Sequence, residues 1–332
     1  MQTMLKFEFF KKDQNVSLRE GFGRALVALG RQREDFFLFD ADVRSGTGAK
    51  PFADTFPTRV VQFGIAEQNM MAAAAGFADT GLVPVVVGFS AFTVMRAHEQ
   101  LRTAVCYGGR NVKVCCSHLG VDVGPDGATA QMLEDLATCR AIPNLKVIVP
   151  ACANEIQPMF EAVLDEPGPV YMRIGRSPTP VLYENPGAIR IGRADVIRQG
   201  YDVAIIACGS RVIPALHAAE QLETNGISAR VINLRSIKPI DLEAIRSCCE
   251  QVRAIVTVED HNIYGGMGGA VAEVVAQIHP VPVEILGIRD RFGRSGEHYE
   301  LYAMYGIDVP DIVRAAKRVI KRKEQRFVRE PS

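Results

Sequence analysis

The alternation of short β-branched runs with helical patterns constrains the fold of this 332-residue chain more than any other feature. In the first half we predict strands at 36–39, 60–63, 85–87, 112–116, 147–149 and 170–174, and helices at 17–30, 66–79, 93–107, 131–141 and 154–165. Strands separated by helices of this length are typical of βαβ units, in which helices cover both faces of a largely parallel sheet. The sequence therefore predicts an α/β fold.

A second unit of the same kind follows. We predict strands at 203–207, 229–233, 254–258 and 283–285, and helices at 211–225, 241–250, 267–278 and 310–327. Between the two units, the segment 176–189 has three prolines and no periodicity, which indicates a linker. We therefore expect two α/β domains at 1–178 and 191–332, each with a mostly parallel sheet flanked by helices, joined by a linker at 179–190.

Composition excludes several classes of function. Lys plus Arg equals Asp plus Glu at 38 each, which argues against a nucleic-acid-binding surface. The N-terminus lacks a signal-peptide pattern, and the apolar runs 70–78 and 82–92 are too short to span a bilayer. The eight cysteines form no zinc-like Cys-x-x-Cys repeat and suit a reducing compartment. We expect a cytoplasmic protein with no membrane or nucleic-acid partner.

Glu67 is the first candidate functional residue. It follows an apolar, strand-like segment and precedes a helix of small residues at 70–76. Burying an ionised carboxylate is expensive, so such a group usually has a dedicated partner. A first-turn acid that favours the helix dipole would fit the local pattern equally well. The local pattern leaves both interpretations open.

Several motifs along the chain, taken together, help to decide between these two interpretations of Glu67. Gly-Ile-Ala-Glu-Gln-Asn-Met at 64–70 is followed by Gly-Phe-Ser-Ala-Phe at 88–92, Val-Gly-Pro-Asp-Gly at 123–127 and Arg-Ala-Ile-Pro-Asn at 140–144. This series resembles the pyrimidine-binding domain of transketolase and its thiamine-diphosphate relatives. Val-Glu-Asp-His-Asn at 258–262, with the Gly-rich run 265–269, resembles the C-terminal domain of that family. The resemblance extends from about residue 15 to residue 320.

The resemblance implies a cofactor site. In this family the carboxyl equivalent to Glu67 hydrogen-bonds N1′ of the cofactor's aminopyrimidine and controls its tautomer. Phe89 or Phe92 would stack on that ring, and Asp42 matches an acid that approaches the cofactor from the end of a strand. Core packing of the two rings and a turn-capping role for Asp42 are the structural alternatives.

The resemblance also implies substrate contacts. His118 and Asp126 match a substrate-contacting His and Asp of transketolases, the first meeting an anionic group and the second a hydroxyl. Arg176 corresponds to a phosphate-binding arginine, and Arg19 to a second one on a weaker match. Solvated loop side chains are the alternative. Ala130 departs from the pattern, because transketolases typically carry a substrate-binding His there, and this suggests a modified ketose substrate.

One part of the expected machinery is missing from the sequence. The family binds Mg²⁺ through a Gly-Asp-Gly motif, which this chain lacks, so we expect no metal ligands here. The resemblance therefore implies half of a split transketolase, with Mg²⁺ and the cofactor's diphosphate held by a partner chain in an α2β2 heterotetramer. The alternatives are the beta subunit of a 2-oxoacid or acetoin dehydrogenase, disfavoured because its His-His-Ser-Gln-type loop is absent, and a non-catalytic partner-binding module.

Overall fold

The computed structural model of the chain describes the backbone of residues 11–327 and the side chains of residues 15–325. The strands are β1 Lys11–Ser17, β2 Phe36–Asp40, β3 Val60–Gln62, β4 Val83–Phe89, β5 Lys113–Ser117, β6 Lys146–Ile148, β7 Val170–Arg173, β8 Pro178–Val181, β9 Asp195–Arg198, β10 Val203–Ala207, β11 Ala229–Asn233, β12 Ser236–Lys238, β13 Ile255–Asn262 and β14 Val283–Ile288. All ten strands expected from the sequence are confirmed, with ends that differ by a few residues.

The helices follow the same alternation. They are α1 Leu18–Gly30, α2 Arg44–Thr47, α3 Lys50–Thr55, α4 Glu67–Ala78, α5 His98–Gln100, α6 Asp135–Ala141, α7 Ala153–Asp165, α8 Val212–Glu223, α9 Leu242–Ser247, α10 Met267–Ile278, α11 His298–Tyr305 and α12 Val309–Phe327. The helix expected at 93–107 is irregular: wide π-type turns at Ala91–Arg96 and Leu101–Tyr107 flank α5. The helix expected at 131–141 begins only at Asp135.

Two sheets organise the molecule. The larger has the strand order β12-β6-β7-β5-β4-β2-β3 and is parallel except for β12, which pairs with β6 in the antiparallel direction. The smaller has the order β14-β13-β10-β11-β9 and is parallel except for β9. The expectation of two mostly parallel sheets flanked by helices is confirmed.

The boundary between the two units is less simple than the sequence indicated. The segment expected to be a linker at 179–190 begins inside strand β8, which pairs with β1 in a two-stranded antiparallel sheet. Strand β12 lies beyond that segment in the sequence yet completes the larger sheet. One apolar cluster also contains buried residues of both parts, including Met70 and Val86 with Ile232 and Val271. The two parts therefore share a core.

A buried polar cluster also lies between the two parts. Asp135 accepts hydrogen bonds through Oδ2 from Arg173 Nε and from the Tyr171 hydroxyl, each at 2.7 Å. Arg173 Nη2 donates to the carbonyl of Asp260 at 2.8 Å. Burial alone would raise the pKa of Asp135, yet the charges of Arg173 and His261 hold it below its usual value. The cluster joins α6 and β7 of the larger sheet to β13 of the smaller one.

Candidate active site

Glu67 is buried at the first position of α4. Its side chain is 5% exposed, and Oε2 accepts a hydrogen bond of 2.8 Å from Nη1 of Arg96, whose side chain is 49% exposed. Among the described side chains, Arg96 is the hydrogen-bond donor to this carboxylate, and one of the two carboxylate oxygens accepts from it. The helix N-terminus also favours a negative charge at this position. Glu67 therefore has a charged partner and also lies in the first turn of a helix, so the structure agrees with both interpretations of the local sequence.

Phe89 and Phe92 lie at the end of β4 and in the irregular helix that follows. Their ring centroids are 6.3 Å apart at an angle of 41°. Phe89 already stacks on the imidazole of His118, with centroids 3.6 Å apart. Phe92 is half-buried, and the Arg96 guanidinium carbon lies 5.0 Å from its ring centroid. The structure thus links Glu67, Arg96 and Phe92 on one side, and Phe89 and His118 on the other.

The predicted substrate-binding residues come together around His118. The Nε2 atom of His118 lies 3.5 Å from Oδ2 of Asp126, and Arg176 Nη2 lies 3.2 Å from Oδ1 of the same carboxylate. Arg19 donates to the carbonyl of Gly46 at 2.7 Å. Since a Cβ on Gly46 would lie 2.7 Å from the Phe89 ring, this loop packs directly against the site. The carboxylates of Asp122 and Asp126 oppose the charges of Arg19 and Arg176 at this site.

The electrostatics of His118 and Arg19 reflect this crowding. Burial lowers the pKa of His118 to about 4, and the charges of Arg19 and Arg176 act in the same direction. Burial, followed by the charge of Arg176, lowers the pKa of Arg19. Because His118 is neutral near pH 7, it would contact a ligand as a hydrogen-bonding imidazole, and the arginines would supply the charge.

Asp42 takes a different position from the other predicted residues. It follows β2 with a φ of 65° and is exposed. Its Oδ1 accepts a hydrogen bond of 3.3 Å from Nε2 of Gln62, which also donates to the buried Asp40 at 2.9 Å. Within residues 15–325, no hydrogen bond or ion pair joins Asp42 to Glu67 or to the His118 group. The structure places Asp42 at the same edge of the sheet but does not bring it into that group.

The loop carrying Asp126 is held by residues that were not among the predicted site residues. The carboxylate of Asp260 accepts hydrogen bonds from the amides of Val121 and Asp122, each at 2.9 Å. Gly120 is required beside it, because a Cβ there would lie 2.2 Å from that carboxylate. Asp122 in turn accepts a hydrogen bond of 2.8 Å from the Tyr302 hydroxyl. These partners are far apart in the sequence, and no local pattern indicates their contacts.

A segment of the C-terminal part borders the same loop beside Ala130. Gln131 Nε2 donates to the carbonyls of Gly124 and Arg294, at 3.2 and 2.9 Å. A Cβ on Gly127 would lie 2.6 Å from Oγ of Ser295. Ala130 itself is half-buried. The space beside Ala130 is therefore framed by both parts of the chain.

Backbone amides of the Gly-rich run 265–269 are hydrogen-bonded to a carboxylate of the same chain. The carboxylate of Glu259 accepts hydrogen bonds from the amides of Met267 and Gly268, at 2.6 and 2.7 Å. Burial raises the pKa of Glu259 to about 7. Because this carboxylate takes the amides that a phosphate would need, the run has a structural role.

Three further features of the described residues bear on function. Residues 11–327 contain no helix long and apolar enough to cross a membrane. Within the same part of the chain, no group of three or more His, Cys, Asp or Glu side chains could hold a metal ion. The eight cysteines are all buried and form no disulfide.

Comparison with known protein families agrees with this geometry. Residues 14–181 match the transketolase pyrimidine-binding domain, and residues 192–312 match the transketolase C-terminal domain. The chain belongs to the transketolase family.

Individual relatives refine the class. The chain is 43% identical over 308 residues to a putative transketolase C-terminal section from Methanocaldococcus jannaschii, with 92% of this chain and 95% of the relative covered. It is 36% identical to a subunit of the apulose-4-phosphate transketolase of Phocaeicola vulgatus, covering 92% and 98%. A solved split-gene transketolase, described as an inactive β4 tetramer, aligns with a TM-score of 0.86 at 37% identity, covering 93% of this chain and all of the other. These relatives are subunits of split transketolases, and members of the family are transferases.

Proposed function

We propose that this chain is the pyrimidine-binding subunit of a split, thiamine-diphosphate-dependent transketolase. With a partner chain it would transfer a two-carbon ketol unit from a ketose to an aldehyde. The observation that carries the proposal is the proximity of two groups of residues: the buried Glu67, which Arg96 links to the Phe92 ring, and the arginines and carboxylates around His118. The first suits a planar nitrogen heterocycle, and the second suits an anionic sugar.

The residues on the cofactor side fit an aminopyrimidine. Glu67 offers a buried carboxylate at which a ring nitrogen can be hydrogen-bonded and a proton held or moved at N1′. Phe92 offers a half-buried ring for stacking, whereas Phe89 is already stacked on His118. When bound, thiamine diphosphate supplies the electron sink for breaking and forming the carbon–carbon bond. Asp42 would contact the cofactor from the rim of the site.

The group around His118 would hold the substrate. Arg19 and Arg176 would bind a phosphate or another anionic group, and bidentate contacts suit their guanidinium forks. His118 would donate a hydrogen bond near that group, and Asp126 would accept one from a hydroxyl of the donor ketose. These roles place the substrate between α1 and the loop 118–127.

The alanine at position 130 favours a ketose substrate that differs from the usual ones of the family. A methyl group in place of the family's imidazole removes a polar contact and opens space beside Gln131. The Phocaeicola vulgatus relative is named for apulose 4-phosphate. We therefore propose a phosphorylated or otherwise anionic ketose that is branched, deoxygenated or similarly modified. Turnover of xylulose 5-phosphate by the assembled enzyme at an ordinary transketolase rate would contradict this assignment.

The partner would be the N-terminal-half transketolase subunit, which carries the Mg²⁺–diphosphate domain. Ile65 and Met95, which are 77% and 46% exposed, lie close in sequence to Glu67 and Arg96 and place two apolar side chains on the surface there. Such a surface suits a protein interface. We propose an α2β2 heterotetramer in the cytoplasm, with a pyrimidine-binding domain at 1–178 and a C-terminal domain at 191–332.

The deciding experiment compares the chain alone with the chain co-expressed with its partner. Calorimetry with thiamine diphosphate and Mg²⁺ should detect binding only in the complex, and Glu67→Ala should abolish ketol transfer. Equal cofactor binding by the chain alone, or transfer that is indifferent to Glu67, would refute the proposal. Oxidative decarboxylation of a 2-oxoacid would instead identify a dehydrogenase beta subunit, and assembly without turnover of any ketose would identify a partner-binding module.

A further inference from the structure

Arg96 contacts both groups that are proposed to receive the aminopyrimidine. Its Nη1 lies 2.8 Å from Oε2 of Glu67, and its guanidinium carbon lies 5.0 Å from the centroid of the Phe92 ring. No motif singled out this arginine. Its importance follows from the coincidence of these two contacts.

The chemistry of a guanidinium explains why it fits this position. It is planar, it presents N–H donors along its edge to a carboxylate, and its face stacks on aromatic rings. An aminopyrimidine also combines a flat face with a hydrogen-bonding nitrogen edge. Either the guanidinium or the aminopyrimidine could therefore bind to the carboxylate oxygen of Glu67 and the face of the Phe92 ring. The two groups cannot occupy these contacts at the same time.

The burial of the two partners shows which one can move. The Glu67 side chain is 5% exposed, whereas the Arg96 side chain is 49% exposed, so the arginine lies on the solvent side of the pair. The backbone of Arg96 is held separately, because its carbonyl accepts a hydrogen bond of 3.2 Å from Nε2 of Gln68. The guanidinium can therefore rotate into solvent while α4 and the main chain stay in place.

We infer that Arg96 is a displaceable occupant of the aminopyrimidine position. In the unassembled chain it pairs with Glu67 and covers Phe92, and cofactor binding in the complex moves it away. Arg96 thus stabilises the empty site and lowers the affinity for the cofactor. The inference rests on the proposed function, since it needs thiamine diphosphate to be the incoming group.

The first test measures thiamine diphosphate binding to the assembled complex by calorimetry, at saturating Mg²⁺. The Arg96→Ala complex should bind the cofactor with a Kd lowered by about three- to tenfold, because no side chain has to be displaced. The matched control is Arg102→Ala, which removes an exposed arginine from the same irregular helix and should leave Kd unchanged.

The outcomes separate this inference from the proposed function. Weaker or equal binding by the Arg96→Ala complex, with normal binding by wild type, would overturn the inference alone and identify Arg96 as a residue that positions Glu67. Absence of binding by both complexes would overturn the inference and the proposed function together.

A second test needs no partner or cofactor. Urea unfolding of the full chain would compare wild type, Glu67→Gln, Arg96→Ala and the double variant. If the pair forms in the unassembled chain, the single changes should be non-additive, with a coupling of about twofold or more in the unfolding equilibrium constant. Strict additivity would show that Arg96 does not occupy Glu67 before assembly and would overturn the inference.

Discussion

The chain contains two carboxylate–arginine pairs that are alike in chemistry and opposite in setting. In the cluster between the sheets, Asp135 and Arg173 are both buried, and both oxygens of Asp135 accept hydrogen bonds from Arg173. At the candidate active site, Glu67 is buried but Arg96 is half-exposed, and one oxygen of Glu67 is engaged. The first pair is complete within the chain. The second leaves hydrogen-bonding capacity and a neighbouring aromatic face for a ligand.

The difference shows that an ion pair does not reveal its role by itself. A buried pair whose partners all belong to the fold holds elements in place, and losing one partner leaves an uncompensated charge. A pair with one exposed partner costs little to open. Substitutions in both pairs and in their surroundings test this distinction.

Glu67→Gln should have the largest effect, and it should fall on activity. The side chain keeps its shape but can no longer exchange a proton with the aminopyrimidine, so kcat for ketol transfer by the complex should fall by about 10²–10⁴-fold. The free energy of unfolding of the chain should change by less than about 1 kcal/mol. A variant that unfolds readily but retains turnover would reverse the assignment of this pair.

Arg173→Met should have the largest effect on stability. It leaves Asp135 buried without its cation, which should lower the free energy of unfolding by about 3–5 kcal/mol. The matched change Arg96→Met should cost less than about 1 kcal/mol. Urea denaturation of both variants measures the difference, and similar losses for the two would remove the contrast between the pairs.

Ala130→His should have a smaller effect, on substrate choice. Restoring the family's imidazole beside Gln131 adds a polar contact for hydroxyls and fills space. We expect kcat/KM for xylulose 5-phosphate to rise by about tenfold and that for the natural donor to fall. Ala128→His, in the same loop, provides a control for nonspecific effects of an added imidazole. An unchanged ratio of the two kcat/KM values would show that residue 130 does not select the substrate.

The two regions can also be compared by the pH dependence of stability, because each contains a buried histidine. Burial lowers the pKa of both His118, at the site, and His261, in the cluster between the sheets, to about 4. Because each binds a proton less readily in the folded chain than the ordinary value of 6.5 implies, each destabilises the fold progressively as the pH falls from about 6.5 to about 4.

Binding of inorganic phosphate should change the pKa of one of these two histidines and not that of the other. Bound between Arg19 and Arg176, it should raise the pKa of His118 by about one unit and leave that of His261 unchanged. NMR titration of histidine-labelled protein, with and without phosphate, measures both values. A parallel shift of the two would indicate a general effect of salt and not a site at His118.

The sequence predicted most of the fold because buried parallel strands are continuous apolar runs, such as Val83–Phe89 and Val203–Ala207. It missed β1 and β9, together with β8, whose prolines read as a linker, and the three-residue β12, which is too short to show a period. It also read the irregular turns around Ala97 as one helix, since local propensity does not reveal where the hydrogen-bonding pattern shifts.

The candidate site was predictable in part for a similar reason. Glu67 and Phe89 belong to motifs, and His118 directly follows a predicted strand, so their positions are visible locally. Arg96 and Asp260 were missed because their contacts, with Glu67 and with the loop at 121–122, exist only in the folded chain.

Strand β12 has a consequence for anyone who divides this protein. A fragment that stops at residue 190 would keep every motif proposed for cofactor and substrate, yet it would lose Ser236–Lys238 and leave the outer edge of β6 without its partner. Unpaired edges of this kind recruit strands from other molecules. The fragment should therefore aggregate, and adding those three residues back would not be enough, because Met70 and Val86 would still lack the core partners Ile232 and Val271.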